Sequence, residues 1–302
     1  MAELIAVTGA SGTVGGLVAA RLAAAGVPTR LIGRDDTRLP DLDNCEHAVA
    51  SGYADTEAMQ RALAGASAVL LVSARESADR VAEHRSAIDA AVAAGVQRIV
   101  YTSFYGARPD CTFTFGRDHW HTEQYIRDSG LGFTFLRDNF YLGVLPLLAA
   151  DDGVIRGPAG DGRVAAVAQA DVAEVAARML TGATCDGTTD DGAADDGATD
   201  DGTTWDLTGP QALSLAEVAS ILALVSGRRV RYEEETVDEA YASRAHYGAP
   251  AFEVDGWVST YAAIANGELA GVTDTVQRLT GRPPLSLREH LAAHPASWAH
   301  LR

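Results

Sequence analysis

The sequence predicts an α/β protein built on a doubly wound parallel sheet, and three observations carry that prediction. An apolar run of strand length at residues 4–7 stops at a glycine-rich turn. A proline-free, alanine-rich stretch then runs to Gly26, as a helix would. A second apolar strand, residues 29–32, arrives at the spacing of a βαβ unit. Further along, strand-like and helix-like stretches alternate, which favours parallel strands covered on both faces and joined by right-handed crossovers.

The turn reads Thr8-Gly9-Ala10-Ser11-Gly12-Thr13-Val14-Gly15. Gly9, Gly12 and Gly15 fall three apart, which suits a sharp bend, close approach of backbone amides to a phosphate, and tight packing of helix on strand. The helix that follows turns its positive dipole end toward the anion. Ser11, Thr13 and Val14 are the other expected contacts of this Rossmann-type cradle. After it come a strand at 67–72, a helix at 76–94, a strand at 98–102, a helix at 118–128 and a strand at 133–136. Residues 1–150 are expected to be the dinucleotide-binding domain.

Residues 151–302 are expected to complete the sheet and to form a small, mainly helical C-terminal subdomain that walls its active face. Ser214 and Glu217 have the spacing of a capping box, for a helix running to Val225 and stopped by Gly227. A short strand is expected at 229–232, with helices at 238–247, 254–265 and 287–293. Within this half, residues 184–204 repeat Asp-Asp-Gly followed by two small residues. Aspartate and glycine can wrap a hard cation, but the spacing matches neither a helical-hand loop nor a nonapeptide calcium roll. With too few apolar groups for a core, the stretch is read as a mobile surface insertion.

Composition narrows the function. The 302-residue chain is 47% hydrophobic and can bury a sizeable core. It has no run of about 18 apolar residues, and its first apolar run lacks a basic flank, so a cytoplasmic protein without a membrane anchor is expected. Cys45, Cys111 and Cys185 are odd in number and scattered, and are read as reduced and structural. A net charge of −17 disfavours nucleic acid, although seven aspartates of the insertion make much of it local.

Arg34 stands directly after the second strand, where this fold meets the adenosine ribose. An acid there binds a 2′-hydroxyl and an arginine binds a 2′-phosphate. Arg34, with Arg38 four residues on, therefore leans toward NADPH, while Asp35 and Asp36 keep NADH open. His119 and Glu123 form an i, i+4 pair, but the neighbours required for a reversed zinc-peptidase motif are absent and no metal is expected. His121 is read as a satisfied hydrogen-bonding group.

The cradle, Arg34, the strand Ile99-Val100-Tyr101-Thr102-Ser103, the run Asp118-His119-Trp120-His121-Thr122-Glu123, Asp128-Ser129-Gly130, and Leu136-Arg137-Asp138-Asn139-Phe140-Tyr141 together resemble the atypical short-chain dehydrogenase/reductases. Within that superfamily the chain is most similar to the NmrA-like branch that holds the NAD(P)H:quinone oxidoreductase type 2 enzymes. The likeness continues through Asp206-Leu207-Thr208-Gly209-Pro210, 263–270 and 279–284, and leaves out only the insertion.

The resemblance implies hydride transfer from NADPH to a small flat acceptor of the quinone kind. It adds Ser73, Thr102, Ser103 and Tyr53 as cofactor contacts, although Gly52 stands where the family often has an aspartate. Tyr105, Phe140 and Tyr141 become walls for the acceptor, with Asn139 assisting. The slots of the superfamily's tyrosine and lysine hold Phe115 and His119, so the usual proton donor is missing. His119 is the expected catalytic group, bonding the nicotinamide ribose or the acceptor oxygen. Two alternatives stay open: a redox sensor that binds the nucleotide without turnover, and a biosynthetic ketone or imine reductase. Oligomeric state is equally open, a homodimer included.

Overall fold

The computed structural model describes residues 3–182 and 202–301. In chain order the elements are β1 (Leu4–Val7), α1 (Thr13–Ala24), β2 (Thr29–Gly33), β3 (Cys45–Val49), α2 (Thr56–Leu63), β4 (Ala66–Leu71), α3 (Arg80–Ala93), β5 (Arg98–Phe104), α4 (Thr114–Asp128) and β6 (Gly132–Asp138). There follow β7 (Val154–Gly157), β8 (Arg163–Val164), α5 (Gln169–Thr181), β9 (Thr203–Leu207), β10 (Leu213–Ser214), α6 (Leu215–Ser226), β11 (Arg231–Glu234), α7 (Val237–Arg244), α8 (Ala251–Ala265), α9 (Thr275–Thr280) and α10 (Leu287–Ala293).

Seven strands pair in the order β3-β2-β1-β4-β5-β6-β9, all parallel. Alternation along β1 sends Ile5 and Val7 to one face and Ala6 to the other. On the first face they meet Val14, Val18 and Leu22 of α1 and Val172, Val175 and Met179 of α5. On the second, Met59 and Leu63 of α2, Ile88 of α3 and Ile126 of α4 close the layer. Strand order reverses between β1 and β4, and the crevice at such a switch point is where open α/β sheets take ligands. A third cluster lies past the strand ends, where Phe113 and Phe115 meet Leu215, Tyr261 and Leu291 of the C-terminal helices.

Several boundaries differ from the sequence expectation for identifiable reasons. Strand β3 was not foreseen because, as an edge strand, it carries Glu46 and His47 outward and shows little apolar signal. Helix α3 starts at Arg80, since 76–79 belong to the loop leaving β4. The insertion ends sooner than expected: Gly202 N donates to Phe133 O at 2.7 Å, and Thr203 and Thr204 pair with Thr134 and Phe135 as the start of β9. Its remainder, 184–201, lies outside the described residues, as does Cys185. The Ser214–Glu217 capping box is present and α6 stops at Gly227 in the left-handed conformation. Cys45 and Cys111 are free. Among the described residues, no helix is long and apolar enough to cross a membrane.

Candidate functional site

The glycine turn joins β1 to α1 at the switch point. Gly9 takes φ +60, and Gly12 N donates back to Gly9 O at 2.8 Å. A Cβ on Gly15 would collide with that same Gly9 carbonyl, so only glycine lets the helix start this close to the turn. Gly12, the N-cap residue of α1, has no side chain to offer, and the first amides of the helix, on Thr13, Val14 and Gly15, have no intrahelical acceptor. Ser11, Gly12 and Thr13 are exposed at this rim, and Val14 is buried beneath it. An uncapped helix end with its dipole facing out fits the pyrophosphate of a dinucleotide.

Arg34 and Arg38 follow β2 and are exposed. Between them, Asp35 turns inward on its own loop and accepts from Thr37 N and Oγ1, which holds its carboxyl below the usual range. Asp36 pairs with His47 at 2.9 Å. Both acids therefore have protein partners, and the guanidinium groups are the charges left facing outward.

Next to the turn, Gly9 lies against Val72, and the following residue, Ser73, lines a cavity of about 910 Å³. Its floor is the C-terminal ends of β5 and β6, through Ser103, Phe104 and Asp138. Phe115 and His119 of α4 line it, as do Tyr247, Trp257 and Tyr261 from the C-terminal half. Gly256 of α8 has no Cβ where one would strike the Phe115 ring, which lets that helix rest directly on the cavity wall.

His119 is 5% exposed and both its nitrogens are taken. Arg80 Nη2 donates to Nε2 at 3.1 Å, so the ring proton is on Nδ1, which meets Tyr101 Oη at 2.9 Å. Burial first, then the Arg80 charge, push His119 well below its ordinary pKa. His119 lines the cavity, and its two ring nitrogens are engaged by Arg80 and Tyr101. Arg80 itself is 5% exposed; its Nε donates to Ala74 O at 2.9 Å and it stacks over Phe115 at 5.9 Å. Its Nη1 has no hydrogen-bond partner among the described residues and stands 4.0 Å from Asp118.

At the end of β6, Asp138 is 3% exposed. Its Oδ2 accepts from the Tyr141 hydroxyl, while Oδ1 has no partner among the described residues. Burial raises this carboxyl to about 7, with the Tyr141 hydroxyl and Arg80 acting against the rise.

The other expected contacts fall into two groups. Ser73, Ser103, Asn139, Phe140 and Tyr141 line the cavity together with His119. Within this group, Asn139 spends its amide on the backbone, donating to Leu269 O and accepting from Phe140 N, and Ser103 donates to Glu123 at 2.6 Å. Thr102, Tyr53 and Tyr105 do not line it. Thr102 is buried and accepts from Ser73 N at 2.8 Å, tying β5 to the loop after β4. The Tyr53 hydroxyl is spent on Thr8 and on Val72 O. Tyr105 has its hydroxyl packed against Gly271. Arg80, Asp138, Arg156, Arg244 and Trp257 line the cavity and were missed. Arg80 stood inside the helix expected at 76–94 and Asp138 in the run to Tyr141 that carries the resemblance, but their burial is a tertiary property.

A family model described as NAD(P)H-binding matches residues 9–183. A (4-alkanoyl-5-oxo-2,5-dihydrofuran-3-yl)methyl phosphate reductase of Streptomyces griseus subsp. griseus is 35% identical, over 98% of this chain and 99% of that protein. An NAD(P)H azoreductase of Xenophilus azovorans is 31% identical, over 98% and 99%. Among solved structures, the NADPH-dependent quinone oxidoreductase QOR2 of Escherichia coli, complexed with NADPH, superposes with a TM-score of 0.82 at 30% identity, over 96% of this chain and 99% of that one.

Proposed function

The chain belongs to the NAD(P)H-binding family and is an NAD(P)H-dependent oxidoreductase, and from that premise we propose that it reduces a small, flat, conjugated acceptor of the quinone type. The observation that carries this reading is the cavity of about 910 Å³, walled by Phe104, Phe115, Phe140, Tyr141 and Trp257 and opening beside the glycine turn. Aromatic walls hold a planar conjugated ring by stacking. The quinone and azo acceptors named for two relatives share that shape.

On this reading the amides of residues 13–15 hold the pyrophosphate, and Arg34 and Arg38 meet the 2′-phosphate that distinguishes NADPH. When bound, the cofactor supplies the hydride. The protein's own residues orient and exclude water: Phe115 and Trp257 offer aromatic surface to the acceptor, and the packed floor at Ser103 and Asp138 limits how deep it sits. Arg80, fixed by His119 and Ala74, places a positive charge where electron density gathers on the acceptor. The division of labour, with 1–150 for the cofactor and 151–302 for the acceptor, is part of this proposal.

The test is NADPH consumption, followed by absorbance, with menadione, an azo dye and an aliphatic ketone offered in parallel. The conjugated acceptors should be turned over well above a Gly12→Asp control. Preference for the aliphatic ketone would replace this reading with that of a biosynthetic carbonyl reductase, and saturable binding with no consumption of any acceptor would count against reduction altogether.

A further inference from the structure

We propose that Asp138 is the acid that the Phe115 slot lacks, giving a proton from Oδ1 to the acceptor heteroatom that gains electron density. The proposal rests on the reading of the cavity as a reductase site and names the group that completes the reaction there.

Hydride alone does not finish the reduction of a carbonyl or azo group; a proton must follow. Of the groups at the strand ends and on the neighbouring helices, the other candidates fall away. Phe115 has no proton, and His119 is neutral with Nδ1–H directed at Tyr101 and Nε2 occupied by Arg80. The Tyr141 hydroxyl is directed at Asp138, and Glu76, although burial raises its carboxyl too, is an exposed residue. Asp138 differs from all of them. It lines the cavity, it is almost wholly buried, and one of its oxygens is bare. A buried carboxylate with an unpartnered oxygen is costly, whereas a carboxylic acid with its hydrogen on Oδ1 presents a donor that an acceptor heteroatom would satisfy.

The step balances. Hydride delivers two electrons and one hydrogen to the acceptor; the Oδ1–H bond of Asp138 breaks and an O–H bond forms on a quinone oxygen, or an N–H bond on an azo nitrogen. Asp138 is left as carboxylate, held at Oδ2 by the Tyr141 hydroxyl and faced by the buried Arg80 guanidinium. Water restores the proton once product leaves. A carboxyl raised to about 7 is largely protonated below neutrality, as this role requires.

Four groups face Asp138 from the packed elements: Tyr141 after β6, Tyr101 from β5, Arg80 from α3 and His119 from α4. Burial pushes both tyrosines up and His119 down, so neither kind titrates with Asp138 near neutrality. The rate of reduction should therefore fall as pH rises through about 7.

The experiment measures single-turnover NADPH oxidation by menadione against pH, with NADPH affinity taken from fluorescence titration. Asp138→Asn keeps the shape and removes the proton: the rate should drop about 100-fold, the alkaline fall should vanish, and NADPH affinity should stay within about threefold of wild type. An alkaline fall retained in Asp138→Asn, or absent from wild type, overturns the proposal. Should Asp138→Asn fail to fold or to bind NADPH, Tyr141→Phe decides, since loss of the bond that favours the carboxylate should move the fall to higher pH, and an unmoved profile overturns it. Wild type that oxidises no NADPH with menadione or an azo dye removes the reductase reading and this step with it. Turnover that ignores Asp138 removes this step alone.

Discussion

Arg80 and His119 are joined by a hydrogen bond of 3.1 Å in which the guanidinium is the donor, and that one bond fixes the tautomer of the histidine. The ring proton is then committed to Tyr101. His119→Ala should leave the buried Arg80 Nη2 unpaired and take one partner from the Tyr101 hydroxyl, costing about 1–3 kcal/mol for the unpaired group. Turnover should fall through a displaced Arg80, but the pH dependence of the rate should keep its position. Thermal unfolding and a pH–rate profile of the variant check both halves; a profile that loses its alkaline fall would restore the histidine as acid.

Gly15→Ala addresses the cradle. The new methyl group has the Gly9 carbonyl in its way, so α1 must move or the turn must open, at a cost of about 1–3 kcal/mol. NADPH affinity should drop at least tenfold, and a calorimetric titration that finds it unchanged would show that the first turn of α1 does not hold the cofactor.

Arg34 has an exposed guanidinium at the end of β2. Hydrogen bonds to a charged phosphate contribute about 1.5–3 kcal/mol, so Arg34→Ala should weaken NADPH binding roughly 10- to 100-fold and leave NADH nearly untouched. Equal changes for the two nucleotides would make Arg34 a loop-solvating charge.

The stability of the fold should carry the mark of Asp138 independently of catalysis. Its folded pKa, about 7, lies above the ordinary aspartate value of 3.8, so the native state holds an extra proton between those limits. The contribution is fully present below the unfolded value and is lost as pH rises toward 7, at about 1.4 kcal/mol per unit for a single group. Relative to wild type, Asp138→Asn should therefore become more stable by roughly 2–3 kcal/mol between pH 5 and 7, on the same per-unit scale. Urea midpoints of both proteins across that range measure it, and parallel curves would mean that Asp138 is ionised in the folded protein at all of them.

Local chemistry made the first third of the fold legible. The bend at Gly9 needs a positive φ, and the helix start at Gly15 needs the missing Cβ, so both are written in residue type. The Ser214–Glu217 box and the Gly227 stop were readable for the same reason. What could not be read depends on who is buried beside whom. Asp138 looks like any aspartate at a strand end, and only its enclosure beside Tyr141 raises its carboxyl. The bond between His119 and Arg80 joins residues 39 apart in the chain, and no local pattern announces it. Tyr105 was indistinguishable from Tyr141 until the structure set its hydroxyl against Gly271.

The joint between α5 and β9 has a practical consequence. Arg98, the first residue of β5, bonds Met179 O near the end of α5 at 2.8 Å, and Gly202 bonds Phe133 O at the start of β6. Both attachment points thus sit at the sheet's rear pole, whereas Ser73, Ser103 and Asp138 mark the front. A splice between them, whether a deletion of the aspartate repeat, a fluorescent label or a tether to a surface, enters at the opposite end of the strands from the cavity, and is the natural handle for immobilising the enzyme in working form.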